Sequence, residues 1–320
     1  MTMFRVLVGL VFIALFAGAA QASDYPSRPI RILCGFPAGS SIDAALRAMT
    51  PAASKQLGVP IIIENRPGAG GLITVVATKN APADGYTLMV VSIAQFRNSL
   101  VQKVEYDNFK DFSYVAMLSE LMFGIVSRPD APWKDMKEMI AYARSHPGKV
   151  MYGVPAGLHA FSHMVMAEIG AKEGIHWEPV PFKGSSDAMQ SLLSGDYYVM
   201  ADSTISFKEH VRAGKLNLFA MTTPNRSPLF PDKPTLKELG YDIKIESPWG
   251  LAGPANMPPD VAEKIASAFK TALADPAVIR VLTESGQYPR YEGPAEYTAS
   301  SKALVEREHA RLIRLGFLKK

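Results

Sequence analysis

Along most of this chain, short apolar runs of strand length alternate with stretches whose apolar residues recur every three or four positions. Ile30-Arg31-Ile32-Leu33-Cys34 is such a run and reads as a buried strand. It ends in the turn cluster Phe36-Pro37-Ala38-Gly39-Ser40-Ser41, after which Ile42, Ala45, Leu46, Met49 and Ala53 share one helical face. Ser40 and Asp43 have the S-x-x-D spacing of a capping box, and Gly58 closes the helix. A second strand over residues 60–64 runs into Asn65-Arg66-Pro67-Gly68-Ala69-Gly70-Gly71 and another helix. A third, residues 86–91, follows the turn Ala83-Asp84-Gly85. Between residues 91 and 127 the pattern assigns no element, and residues 92–98 read as a loop.

A second series begins near residue 127. It predicts a helix over 133–144 stopped by His146-Pro147-Gly148, a strand over 150–154, the turn Pro155-Ala156-Gly157, and a helix over 159–172. Strands follow at 180–182, 197–201 and 216–221, with short helices at 187–193 and 206–211. A strand at 247–252 precedes the proline-rich stretch 253–259, and helices over 260–274, 277–284 and 295–315 end the chain. The alternation predicts a parallel α/β architecture. No solenoid-length repeat and no low-complexity linker occurs, so any two lobes are expected to be joined by short crossover strands.

The N-terminus changes the picture. Arg5 precedes an apolar run over residues 6–17, too short to span a bilayer, and Ala20-Gln21-Ala22 is an A-x-A cleavage site. Residues 1–22 therefore read as a secretory signal peptide cleaved after Ala22, and the remainder is expected in a bacterial periplasm. The full chain has 320 residues, more than one hydrophobic core usually serves, which implies two lobes or one large α/β domain. Its 48% hydrophobic and 20% charged content is ordinary for a globular protein. The net charge of +4, without a basic stripe, is too weak to imply a nucleic-acid partner, and none is expected. Cys34 is the only cysteine, so no internal disulfide can form.

Enzyme signatures are missing: there is no G-x-S-x-G elbow, H-E-x-x-H pair or P-loop. Gly68-Ala69-Gly70-Gly71 opens like a dinucleotide fingerprint, but Ile73 breaks it, and the string reads as a tight turn. His159 and His163 have metal-ligand spacing without completing partners, so no metal is expected and a capping or ligand-contacting role is favoured. More informative are two junctions, residues 36–41 and 154–159, where a buried strand runs through small residues into a helix. The open N–H groups of a first helical turn favour an anion, and Ser40 and Ser41 add hydroxyls. Facing each other across a cleft, the two junctions would suit a small carboxylate.

Several strings carry a resemblance. Tyr25-Pro26-Ser27-Arg28-Pro29-Ile30, Phe36-Pro37-Ala38-Gly39, Glu64-Asn65-Arg66-Pro67-Gly68-Ala69-Gly70-Gly71 and Asp84-Gly85-Tyr86-Thr87-Leu88 occur in order. Pro147-Gly148-Lys149, His163, Phe182-Lys183-Gly184 and Trp249-Gly250-Leu251 follow. Together they resemble the substrate-binding receptors of tripartite tricarboxylate transporters, the Bug-type periplasmic receptors. The resemblance implies a two-lobed α/β periplasmic-binding-protein fold of the Venus-flytrap, type II-like kind, with the ligand cleft between the lobes. Lobe 1 would comprise residues 23–126 and 248–320, and lobe 2 residues 127–247. It further implies a receptor, without catalysis or cofactor, that delivers a small organic acid to a two-component membrane permease; a di- or aromatic carboxylate is the expected ligand and a monomer the expected state, although the sequence leaves the oligomeric state open.

The family's first carboxylate-holding loop maps onto Phe36, Ala38, Gly39, Ser40 and Ser41. Its second maps onto Gly157, Leu158, His159, Ala160 and Phe161, running on to His163. Departures from the family pattern at Ser40, His159, Ala160 and Ser162 suggest that His159 contacts the ligand and that Phe161 adds an aromatic wall. Ser92, Gln95, Lys183 and Asp202 are further cleft candidates. Arg97 stands where the family more often has Asn: it either clamps a distal carboxylate or is a solvated surface residue. Asp202 either meets a ligand amino group or orders a neighbouring loop. Two rival functions stay open on the sequence: a hydrolase using Ser40 or Ser41 with His159 as base, and a sensory carboxylate-binding protein feeding a signalling receptor.

Overall fold

The structure, a computed structural model, describes residues 25–155 and 160–318. The predicted signal peptide lies outside the described residues, as do Gly157, Leu158 and His159.

The first strand, β1 (Ile30–Cys34), leads into α1 (Ser41–Leu57). The Ser40 side chain accepts from the Asp43 N–H at 3.4 Å, and Gly58 closes the helix at φ 76°, a left-handed conformation that glycine adopts without strain. Next come β2 (Ile61–Asn65), a short turn, α2 (Leu72–Lys79), β3 (Thr87–Ser92), α3 (Ile93–Val101) and β4 (Phe112–Leu121). Gly68, Gly70 and Gly71 all have positive φ, which is what the glycine string supplies to that turn. The middle of the chain forms β5 (Phe123–Ser127), α4 (Met136–Ser145), β6 (Met151–Pro155), α5 (Phe161–Glu173), β7 (Glu178–Phe182), α6 (Ser185–Ser194), β8 (Val199–Ser203), α7 (Thr204–Arg212) and β9 (Asn217–Met221). The chain then returns as β10 (Pro248–Pro254), α8 (Pro259–Leu273), α9 (Pro276–Glu284), β11 (Gln287–Glu292) and α10 (Pro294–Arg314).

These strands make two sheets among the described residues, ordered β11-β4-β10-β3-β1-β2 and β7-β6-β8-β5-β9. Each is the floor of one lobe. The expectation of parallel sheets needs correction, because both are mixed. β1 pairs parallel with β2 and β3, whereas β10 runs antiparallel to β3 and β4. In the second sheet β6 is parallel to β7 and β8, and β5 runs antiparallel to β8 and β9. The strands that connect the lobes cause the mixing. β4 and β5 are separated only by Met122, so the chain passes directly from one sheet into the other, and it comes back along β10. β4, β5, β11 and α3 are the elements the hydrophobic pattern left unassigned.

Each sheet is covered on both faces. In β1, Ile32 and Cys34 join a core with α1 and α8, while Leu33 joins one with α3 and α10. In β8, Val199 and Ala201 face the α4–α5 side, and Met200 faces α6 and α7. Alternate side chains thus enter opposite cores, and double burial yields an unbroken apolar run in place of polar alternation.

The last helix belongs to both lobes. Tyr297 and Leu304 of α10 sit in a first-lobe core, whereas Leu312 sits in a second-lobe core against which Phe317 and Leu318 also pack. A chain of buried charges runs beside it. Arg97 Nε of α3 donates to Glu308 at 2.7 Å, and Glu308 also accepts from Arg311. Arg311 Nε donates to Glu168 of α5 at 3.0 Å, and Arg314 Nη1 donates to Glu168 at 2.8 Å.

Candidate functional site

Four strand-to-helix junctions open into one cleft of about 490 Å³ between the lobes. β3 delivers Ser92, Ile93 and Ala94; β6 delivers Pro155, with Ala160, Phe161 and Ser162 at the start of α5; β7 precedes Ser185; β8 supplies Asp202 and Ser203. Phe36 and Trp249 close it from the first lobe. This placement at the carboxyl ends of strands is the general ligand position of open α/β sheets.

Among the described residues, none of the four helices is capped by its N-cap side chain. Ser92, Ala160, Gly184 and Ser203 are the N-cap residues of α3, α5, α6 and α7, and none makes a side-chain cap hydrogen bond. Away from the cleft, α1, α4 and α9 are capped by Ser40, Asp135 and Asp275, whereas α2, α8 and α10 also begin without a side-chain cap. At α3, α5 and α6 the uncapped first turns leave backbone N–H donors and the positive end of the macrodipole facing the cleft. The start of α7 already holds an anion from the chain itself: the Ser203 N–H donates to Asp202 at 2.7 Å.

Of the expected site residues, Phe36, Ser92, Arg97, Ala160, Phe161 and Asp202 line the cleft. Gly157, Leu158 and His159 lie outside the described residues. The remaining first-loop residues are engaged elsewhere, which revises the expectation for them. The Gly39 N–H donates to Asp43 at 2.8 Å, so it is not an open anion donor. Ser40 caps α1. The Ser41 hydroxyl donates to the Ser285 carbonyl at 2.6 Å and accepts from Gln287 at 2.7 Å, tying α1 to the α9–β11 junction. Ala38 and Lys183 are exposed and absent from the cleft lining. Gln95 lines a neighbouring pocket of about 350 Å³ that shares Phe36, Gly70, Ser92 and Ala94 with the cleft.

Asp43 and Asn65 explain the first loop's shape. Asn65 Nδ2 donates to the Phe36 carbonyl at 3.1 Å and to Asp43 at 2.8 Å, and Arg47 Nε donates to Asp43 at 2.9 Å. Burial pushes the Asp43 carboxyl up, but these donors and Gly39 outweigh it and hold it below the usual range. His163, counted in the second loop, sits behind the cleft, with Nδ1 2.7 Å from the Tyr152 hydroxyl.

Two ionisable side chains line the cleft among the described residues. Arg97, on the first lobe, is buried and paired with Glu308, so it is not a solvated surface residue. Its Nη2 has no hydrogen-bond partner. Asp202, on the second lobe, accepts from Ser185 at 3.0 Å, Ser206 at 2.7 Å and the Ser203 N–H. Burial raises its pKa, and these donors only partly counter that. By these bonds Asp202 ties α6 to the start of α7. The sequence reading missed Phe123, Ser185, Ser203 and Trp249. Ser185 and Ser203 follow strand ends as Ser92 does, and that position was the usable signal.

The chain matches the family profile described as tripartite tricarboxylate transporter family receptor over residues 45–315. It is 38% identical to a Cupriavidus necator protein called UPF0065 protein in gbd 5'region, over 96% of this chain and 93% of that one. The solved periplasmic binding protein BugD superposes with TM-score 0.74 at 26% identity, covering 91% of this chain and 99% of BugD. MatC from Rhodopseudomonas palustris, solved with bound malate, gives TM-score 0.71 at 28% identity over 91% and 99% of the two chains.

Proposed function

The chain belongs to the tripartite tricarboxylate transporter receptor family, a family of solute-binding receptors and not of enzymes, and from that premise we propose that it captures a small organic carboxylate in the periplasm and hands it to a two-component membrane permease. One observation carries this reading: α3 from one lobe and α5 and α6 from the other begin uncapped at a shared cleft. Such a cleft neutralises an anion with oriented backbone dipoles. It needs no surplus of cations, which accords with a net charge of only +4. MatC, 28% identical to this chain, holds a small carboxylate, malate, which supports the carboxylate class without fixing its size or shape. Capture closes the lobes about the crossovers at Met122 and residues 222–247, as in hinge-type receptors.

Thermal unfolding against a panel of malate, adipate, citrate and benzoate tests the binding step. At least one acid raises the melting temperature; a panel without effect rejects the ligand class. Transport is tested in cells: deleting the cognate permease abolishes uptake, whereas lost gene induction with intact uptake would make the protein a sensor.

A further inference from the structure

We infer that the cleft selects a monocarboxylate with an aromatic body over a polar, hydroxylated dicarboxylate; this rests on the reading of the protein as a carboxylate receptor. Four aromatic side chains line the cleft: Phe36 and Trp249 from the first lobe, Phe123 and Phe161 from the second. Phe123 and Phe161 stack with centroids 3.8 Å apart and planes at 21°, forming a flat apolar wall. Trp249 is fully buried, its Nε1 donating to Gln287 at 2.7 Å, and backs the first-lobe side of the cleft. Rings pack on rings with a preference beyond area burial.

The charges point the same way. The one cationic side chain in the described lining, Arg97, is compensated by Glu308 at 2.7 Å, so it adds a donor without surplus charge. The other ionisable group is Asp202, whose partners are hydroxyls and a backbone N–H and include no cation. A single carboxylate can rest on the helix starts. Among the described residues, a second one would face a lining whose charges offer it no excess cation and include a buried acid, an arrangement that opposes a dianion.

Titration calorimetry of the mature protein with benzoate, phenylacetate, malate and adipate tests this. Benzoate or phenylacetate is expected to bind at least tenfold more tightly than either diacid. The Phe123→Leu variant should lose roughly threefold to tenfold in affinity for the aromatic acid, the scale of one aromatic pair, and leave weak adipate binding unchanged. Malate or adipate binding more tightly than both aromatic acids would overturn the inference and leave the receptor reading intact. Binding of none of the four would reject both. The comparison of acids on the unaltered protein decides the matter even if the variant does not fold.

Discussion

At the scale of single residues, two buried aspartates have opposite titration behaviour, and each follows from its partners. Asp43 is held by Arg47, Asn65 and the Gly39 N–H, so its folded pKa lies below the ordinary 3.8. Its stabilisation is complete above that value and is lost as pH falls through the depressed pKa. Asp202 has a raised pKa because burial outweighs its three donors. Its ionisation therefore costs stability at neutral pH, a cost relieved as pH falls toward 3.8. Thermal melts of Asp202→Asn should show its stability relative to the parent increasing from acid to neutral pH; a gap constant with pH would show that Asp202 is not strained by burial. The capping box Ser40–Asp43 was legible because Ser at the N-cap and an acid three residues on form a local pattern. That Ser41 is occupied was not legible, because its partners Ser285 and Gln287 are distant in sequence and meet it only through packing.

At the scale of elements, the helices and central strands could be read because their periodicity is local. β3 and the helix starts at 41 and 161 fall within a residue or two of expectation. α3 lacks such local marks: no glycine stops it at Gln102, and its N-cap Ser92 makes no side-chain bond. β4 and β5 form one nearly continuous apolar stretch, and nothing local tells where one sheet ends and the next begins. α10 bridges the lobes through Arg97, Glu308, Arg311 and Glu168, all buried. Removing one member of a buried pair strands its partner, at about 3–5 kcal/mol. Urea unfolding should accordingly give Arg97→Ala and Glu308→Ala losses of about that size, with the double variant losing clearly less than the sum. Strict additivity would mean that the pair does not act as a unit. Glu168 lies below its ordinary 4.5 despite burial, because Arg314 and Arg311 favour its charge. The Glu168→Gln defect should therefore be full at neutral pH and shrink as pH falls below 4.5.

At the scale of the whole molecule, two mixed sheets joined at Met122 and by the return into β10 place the cleft where helix starts from both lobes converge. Ligand binding to the folded state alone adds about 2.7 kcal/mol of stability at one hundred times the dissociation constant. Closure should also lower the radius of gyration in solution scattering, and a ligand that stabilises without compaction would argue against hinge closure. The central claim is that oriented backbone donors capture a carboxylate. It is tested most directly by calorimetric titration of the mature protein with the tightest acid of the panel and with the corresponding neutral amide. The acid is expected to bind at least a hundredfold more tightly. Equal affinity for the amide would contradict the account, because the cleft would then be recognising the apolar body without the charge.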